Sequence, residues 1–411
     1  MVRTKKFVSP GVLLLAIWLV EIFLYSFHLI DYYRPLNAES LIFFFSVIAV
    51  VLLAGSVMKM QLNSKRIIKR PVKKWSTKDI EAKASKITKF FIIGTIINVL
   101  YSRGFPLLWV LTGTGKNYTD FGIPTFNGFV NALYYVSVVL NFYLYLSTRD
   151  KKHLKTLLLL VIYPLLTITR ALIFTMGFEL LGLFVMMRKI KTKAVVVLTA
   201  GAIAIIILFG VMGNERSGGD VSAATEGMVR ELVDSKYVDT MEKLPSGFTW
   251  VYWYFTCSVN NVVYNIDKLN PTYLPNHSIK KLLPSVVKRA IWGEVEYEDR
   301  YAFTMDNTLV NTFTLYSNYL KDFGVFLTVI LFFFVGLFFY NIYYKATEDN
   351  LNFFLMYPAI FMIICLSVFD DFMLSLPTIF QFIITYYMFK RKNRNYVIQQ
   401  HFQGQESPDH R

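Results

Sequence analysis

Cysteine, histidine and charged residues are scarce in this sequence. Its 411 residues include two cysteines, Cys257 and Cys365, and five histidines, and only 17% of the residues are charged. The positions of the two cysteines, one in a polar loop and one in an apolar segment, predict no disulfide framework. The sequence also lacks a Walker loop, a dinucleotide glycine motif, H-E-x-x-H and G-x-S-x-G. We therefore expect no nucleotide hydrolysis, no metalloprotease chemistry and no cofactor.

Long apolar segments, by contrast, are abundant. Hydrophobic residues make up 55% of the chain and occur in blocks. Blocks of about 20 apolar residues match the thickness of a bilayer, where only helices satisfy their own backbone groups. The sequence therefore predicts an all-α polytopic membrane protein of about ten transmembrane helices. These cover residues 12–30, 41–58, 90–102, 126–146, 154–168, 172–187, 194–212, 323–344, 351–369 and 373–389.

The distribution of lysine and arginine predicts the orientation of these helices. With a cytoplasmic N-terminus, the short inner segments carry 28 Lys and Arg, whereas the short outer segments carry 4. Cytoplasmic segments are enriched in these residues, so both termini are expected in the cytoplasm. The same bias accounts for the net charge of +15 without a nucleic-acid partner.

Four regions follow from this topology. Residues 1–212 hold seven transmembrane helices, and residues 213–322 form a large loop on the outer side. Residues 323–389 hold three further helices, and residues 390–411 form a cytoplasmic tail. We expect the outer loop to cover the working site of the protein.

The apolar stretch 154–187 contains an arginine in its middle, Arg170. The stretch is too long for a single span, and basic residues flank it on both sides. Both flanks favour the cytoplasm, so the stretch must cross twice, as a short hairpin that turns at Arg170. Each arm is short, so the turn should lie below the outer surface, where an arginine needs an anionic partner.

A second arginine, Arg216, opens the outer loop directly after a predicted span. It is therefore expected at the same level as Arg170. Arginine binds phosphate oxygens through paired hydrogen bonds, so two arginines at a membrane surface suit a lipid-linked pyrophosphate. The alternative for Arg216 is a solvated loop residue or a salt bridge within the loop.

His277 is the one histidine of the outer loop, and its titration range suits a general base. A solvated loop histidine is the alternative interpretation. Asp322 and Glu215, each at a junction between loop and helix, are rival bases. An acidic cluster at residues 294–299 could bind a divalent cation, but its alternating spacing is typical of a solvated loop, so we expect no metal site.

Two further features of the outer side have simple interpretations. The aromatic run at residues 248–255 is followed by several asparagines. We expect an amphipathic helix lying in the membrane interface, with a floor for a lipid head group or for sugars as the alternative. Asp370 and Asp371 lie in the last outer turn, where an exposed helix cap is expected.

Taken together, these features resemble the oligosaccharide repeat-unit polymerases, or O-antigen polymerases, of bacterial inner membranes. The likeness consists of ten or more spans, a large outer loop late in the chain and several short motifs. The motifs are Thr167-Ile168-Thr169-Arg170, Arg216, Asn311-Thr312-Phe313-Thr314 with Tyr319, Asp322-Phe323-Gly324, and Phe121-Gly122-Ile123-Pro124.

The resemblance implies a membrane glycosyltransferase of the periplasmic face. Such an enzyme polymerises undecaprenyl-pyrophosphate-linked repeat units into O-antigen or a similar surface polysaccharide. Arg170 and Arg216, with Arg300 or Arg289, would then stabilise the pyrophosphate leaving group. His277, with Asp322 as second choice, would accept the proton of the acceptor hydroxyl.

The implied partners are lipid-linked oligosaccharides, the bilayer, a regulator of chain length and a flippase. Three alternatives remain at the level of sequence. They are the ligase that moves O-antigen to the lipid A core, a flippase for lipid-linked oligosaccharide, and a non-catalytic membrane scaffold. A flippase should have more spans in two similar halves, and a scaffold should tolerate the loss of Arg170.

Overall fold

The computed structural model of the chain describes residues 9–64, 75–188, 232–244, 246–293, 303, 312–347 and 349–390. Within these residues helices are the regular secondary structure, and an isolated bridge joins Ile30 to Val233. The predicted all-α class is therefore confirmed. The predicted span at 194–212, the acidic cluster at 294–299, Arg216 and Arg300 lie outside the described residues.

The described helices are numbered in chain order. They are α1 Pro10–Tyr25, α2 Ala38–Ser64, α3 Thr77–Ser102, α4 Pro106–Leu111, α5 Phe126–Thr148, α6 Lys151–Leu166, α7 Arg170–Met187, α8 Val238–Met241, α9 Ser246–Ile266, α10 Asn276–Leu282, α11 Ser285–Trp292, α12 Ser317–Lys345, α13 Leu351–Cys365 and α14 Leu376–Phe389. A 3₁₀ turn, Tyr118–Asp120, precedes α5.

Five of these segments are long and apolar enough to cross a membrane. They are Ala38–Leu62, Thr77–Leu111, Phe126–Thr148, Arg170–Met187 and Ser317–Lys345. Three shorter apolar helices, α1, α13 and α14, accompany them. The described chain is thus a helical membrane protein by length and composition.

Helices α5, α6 and α7 pass back and forth beside one another. Tyr163, late in α6, donates a hydrogen bond to Asn131, early in α5. Arg188, directly after α7, donates to the carbonyl oxygen of Leu146, late in α5. Because α6 begins near the end of α5 and α7 finishes there, α6 and α7 run in opposite directions. The turn between them is Thr167 to Thr169, and Arg170 is the first residue of α7.

Two helices form the centre of the bundle. Helix α13 is buried at every residue except Phe353, and most of α5 is enclosed as well. Small residues bring α2 and α12 close together at the side of this centre. A Cβ atom added to Gly336 of α12 would lie 2.9 Å from the Cβ of Ala54. Glycine at this position therefore lets the two backbones approach, as is common between membrane helices.

Helix α3 differs from the prediction in its length. We expected an apolar span at 90–102, but the helix begins at Thr77, well inside the segment that we predicted to be cytoplasmic. Ser76 accepts a hydrogen bond from the backbone of Asp79 and so caps its first turn. At the other end Arg103 has a left-handed backbone (φ 59°), which ends α3 before the short helix α4.

The ends of the helices gather into two groups, at opposite ends of the bundle. One group, the Lys83 end, is joined by Lys83, which donates to the carbonyl oxygen of Met388, and by an ion pair of Lys152 with Glu81. The other group, the Arg170 end, contains segment 26–37, the α6–α7 turn, segment 312–316 and turn 366–375. Arg170, His277, Asp322 and Asp371, described next, all belong to the Arg170 end.

Candidate functional site

Arg170 is held at the α6–α7 turn against an aromatic side chain of α9. Its Nη2 atom donates to the Tyr254 hydroxyl at 3.4 Å, and its guanidinium carbon lies 5.3 Å from the centre of the Tyr254 ring. Its Nη1 atom is buried. The turn is made by Ile168, which has a left-handed backbone (φ 50°), and by a hydrogen bond from the amide of Thr169 to the carbonyl of Pro164. Local backbone geometry thus fixes where the guanidinium lies.

Helix α9 corrects our interpretation of the aromatic run. We expected this segment to lie in the membrane interface, but its middle is enclosed by protein. Asn260 accepts hydrogen bonds from the Tyr25 hydroxyl and from the amide of Arg34, both at 3.0 Å. Asn261 donates to the carbonyl oxygen of Thr312 at 2.9 Å. The asparagines that argued against a buried helix are therefore satisfied by other segments of the Arg170 end.

Asp322 and His277 are brought together, but through the backbone of His277. The carboxylate of Asp322 is fully buried, and its two oxygens accept from the amides of His277 (2.9 Å) and Ser278 (2.8 Å). This is the geometry of a cap on the first turn of α10. Because both oxygens hold the backbone, Asp322 positions α10, and its proposed role as a base loses support. The His277 side chain is half-buried beside it.

The turn at Asp370 and Asp371 is only partly the exposed cap that we expected. Asp370 is half-exposed and pairs with Lys281 of α10 at 2.6 Å. Asp371 is fully buried, so the expectation is wrong for this residue. Its Oδ1 atom accepts from the amides of Met373 (3.0 Å) and Leu374 (3.1 Å) and so caps the turn. Its Oδ2 atom is buried and makes no hydrogen bond of normal geometry within the described residues.

Burial gives Asp371 an unusual proton affinity. Loss of solvent raises the pKa of its carboxyl from the ordinary value of 3.8 to about 7, although nearby Lys281 acts in the opposite direction. The buried hydroxyl of Tyr319 on α12 also lies close enough to lower this pKa. A carboxyl that gains and loses its proton near neutral pH is suited to general acid or base chemistry.

An aromatic layer connects Asp371 to Arg170. Phe369, two residues before Asp371, packs against Phe255 of α9 with ring centres 4.5 Å apart and stacks on Phe174 of α7 at 6.3 Å. The amide of Phe313 donates to the carbonyl oxygen of Phe369 at 3.1 Å. Helices α7 and α9, which hold Arg170 and Tyr254, therefore both contact the turn that holds Asp371.

The remaining predicted residues divide into two kinds. Arg289 is exposed in the last turn of α11, and the contacts of the described residues do not bring it to Arg170. Arg216 and Arg300 lie outside the described residues. Asp371 is the residue that sequence reasoning missed. The sequence holds no signal for its burial, because an apolar run also follows an exposed cap at the start of a membrane helix.

Comparison with known proteins adds no further assignment to this site. No protein-family model, curated protein or solved structure matches the sequence. The interpretation of the Arg170 end therefore depends on its residues and their geometry.

Proposed function

We propose that the chain crosses the bacterial inner membrane about ten times, with the Arg170 end on the periplasmic face and both termini in the cytoplasm. The excess of lysine and arginine in the predicted inner segments supports this orientation. So does the grouping of helix ends, since Lys83, Lys152 and Arg188 all lie at the opposite end from Arg170. The described part of the predicted outer loop, which includes α9 and α10, then packs on the periplasmic end of the bundle.

The function that this arrangement supports best is a glycosyltransferase that polymerises undecaprenyl-pyrophosphate-linked repeat units into O-antigen or a similar polysaccharide. One observation carries the proposal: the half-buried guanidinium of Arg170, whose Nη1 atom is enclosed, and a buried carboxyl whose pKa burial raises to about 7 share one end of a membrane bundle. A pyrophosphate leaving group needs the first, and an attacking hydroxyl needs the second. The reaction uses the energy of the sugar–pyrophosphate bond and so requires no nucleotide.

In this reaction a sugar hydroxyl of the incoming repeat unit attacks the anomeric carbon of the growing glycan. A new carbon–oxygen bond forms, and the bond from that carbon to the pyrophosphate oxygen breaks. The hydroxyl proton passes to a base, and undecaprenyl pyrophosphate leaves with the bonding electrons. Arg170 stabilises the negative charge that develops on the leaving group, and Arg216, Arg289 and Arg300 are further candidates for this role.

The base is Asp371 in this proposal. Its Oδ2 atom is the oxygen not used by the turn, and burial places its pKa near 7. His277 is the alternative base, since its half-buried ring lies on the neighbouring helix α10. Asp322 acts as the anchor that fixes α10, which also carries Lys281 toward Asp370.

Arg170→Ala with a matched control tests the role of the guanidinium. Arg34 is an exposed arginine at the same end whose guanidinium carbon lies 4.3 Å from the ring centre of Tyr264, also on α9. Arg34→Ala therefore removes the same side chain and the same type of ring contact. The gene is deleted and complemented with each variant, and surface polysaccharide is separated on gels. We expect loss of long chains with Arg170→Ala and a normal ladder with Arg34→Ala.

The deletion phenotype distinguishes the enzyme classes. A single repeat unit on the lipid core indicates a polymerase, whereas a core without any repeat indicates a ligase or a flippase. A normal ladder with Arg170→Ala, at wild-type protein level in the membrane, would refute the proposed site. Asp371→Asn and His277→Ala in the same assay decide which residue acts as the base.

A further inference from the structure

A cleft opens at the Lys83 end of the bundle, opposite the proposed active site. It lies between α3, α5 and α6 and has a volume of about 500 Å³. Cavities of roughly 300–1,000 Å³ are typical of sites for small ligands. The residues that line it are mostly polar or charged, and they include Lys78, Glu81, Lys89, Asn141, Lys152 and His153.

The inner wall of the cleft is polar and buried. Asn141 of α5 and Thr88 of α3 are nearly inaccessible, and the Asn141 amide donates to the Thr88 hydroxyl at 3.3 Å and to the Ser137 carbonyl at 2.8 Å. His153 is buried beside them on α6. A cleft with such a base is suited to a polar ligand, because covering polar side chains with an apolar ligand would cost free energy of desolvation.

Positive charge dominates the rim. Three lysines face one glutamate, and that glutamate is already engaged: Glu81 lies 3.1 Å from Lys152 and 3.3 Å from His153. Within the described residues, no carboxylate forms an ion pair with Lys78 or Lys89. Lys78 and Lys89 are eleven positions apart, so they lie on the same face of α3 but about 16 Å apart along its axis. The rim therefore favours an anion.

The position of the cleft along α3 indicates the source of that anion. Lys89 is the last charged residue before an apolar run whose side chains are exposed on the bundle surface, among them Phe90 and Ile93. Exposed apolar side chains of a membrane protein face the lipid tails, so Lys89 marks the level of the head groups. The cleft thus lies where the phosphate of a lipid is found.

We propose that this cleft binds the phosphate group of an anionic membrane lipid, with Lys89 contacting the phosphate oxygens at the membrane end of the cleft and Lys78, about 16 Å farther along α3, adding only long-range attraction. The site lies at the opposite end from the proposed catalytic residues and does not depend on their assignment. Basic pockets between membrane helices are known to bind anionic head groups, and each lysine adds to the attraction. Bound lipid would connect α3 to α6 across the cleft.

Binding to the purified full-length protein in detergent tests the proposal. The probes are short-chain phosphatidylglycerol, short-chain phosphatidylcholine and inorganic phosphate, each measured by calorimetry. The test variant is Lys89→Gln. The matched control is Lys86→Gln, which removes the same charge from the same helix, since Lys86 does not line the cleft and contacts the ring of Phe90.

We expect the wild-type protein to bind phosphatidylglycerol at least tenfold more tightly than phosphatidylcholine. Lys89→Gln should bind it about fivefold more weakly, as one lost lysine contact implies, and Lys86→Gln should change it less than twofold. Equal weakening by the control, or no preference for the anionic lipid, would overturn the proposal. Inorganic phosphate that binds as tightly as the lipid, with the same dependence on Lys89, would overturn the lipid as its source. Lys89→Arg, which keeps the charge, is measured as well and should bind as wild type does, so that a folding defect of Lys89→Gln does not decide the result.

Discussion

Asp371 offers the sharpest test of the proposed site, because its carboxyl should be needed for activity and, when ionised, should lower the stability of the fold. The substitution is Asp371→Asn. An asparagine keeps the side-chain oxygen that accepts from the amides of Met373 and Leu374, so the cap of the turn is retained. It removes the ionisable group, which is fully buried and whose Oδ2 atom makes no hydrogen bond of normal geometry within the described residues. The change therefore isolates the effect of the charge.

The expected change in the free energy of unfolding follows from the pKa of Asp371. Burial raises this pKa from 3.8 to about 7, so between these values the folded protein keeps a proton that the unfolded chain has lost. The contribution of this carboxyl to the free energy of unfolding is fully present below pH 4, falls as the pH rises and is lost above pH 7. At about 1.4 kcal/mol for each pH unit, the buried charge costs about 4 kcal/mol at pH 8.5. Asp371→Asn should recover most of this free energy of unfolding at pH 8.5 and almost none at pH 4.

Thermal unfolding of the purified protein in detergent measures this difference. We expect wild type to lose several degrees of melting temperature between pH 5.5 and 8.5 relative to Asp371→Asn, and the variant to make no long polysaccharide. Asp370→Asn is the matched control, since its half-exposed ion pair with Lys281 should contribute at most about 1 kcal/mol. If Asp371→Asn melts below wild type at pH 8.5 with an unchanged pH dependence, the reasoning about the buried charge is refuted.

Two further predictions concern contacts of the bundle. Tyr254→Phe keeps the ring beside Arg170 but removes the hydroxyl that lies 3.4 Å from Nη2, so polysaccharide synthesis should fall less than tenfold. Tyr254→Ala removes the ring as well and should reduce synthesis further. Equal effects of the two variants on gel ladders would contradict a role for the ring. Gly55→Ala would place a Cβ atom 2.4 Å from the Tyr340 ring and should cost about 1–3 kcal/mol, whereas Gly177→Ala, which meets nothing within 4 Å, should leave the melting temperature nearly unchanged.

The sequence predicted the features that depend on local pattern. Apolar blocks of membrane length predicted the all-α class, because the bilayer leaves few other solutions. Basic flanks and the arginine in the middle predicted a turn at Arg170, and in the structure α7 begins at this residue. The start of α3 at Thr77 was missed, because its first three turns are polar and hydropathy records only the apolar part of a helix.

The parts of the site that depend on distant partners could not be predicted. Asn260 and Asn261 suggested an exposed segment, since sequence does not show that Tyr25 and Thr312 satisfy them. The burial of Asp371 could not be predicted for the same reason, because whether a carboxylate in a turn is exposed or buried depends on which distant segments pack over it. Asp322 was identified as a candidate, but its role as a cap of α10 became visible only through contacts across 44 and 45 residues.

The contacts of α1 have a consequence for how the protein is made. This helix enters the bilayer early in translation, yet its hydrogen-bond partners are synthesised much later: Gly11 meets Tyr340, Tyr25 meets Asn260 and Trp18 meets Ser367, at separations of 329, 235 and 349 residues. These three contacts cannot form until the ribosome has added α9, α12 and the segment after α13. A premature stop after α12 would therefore leave Trp18 without the hydroxyl of Ser367, so that α1 could not complete its packing in the bundle.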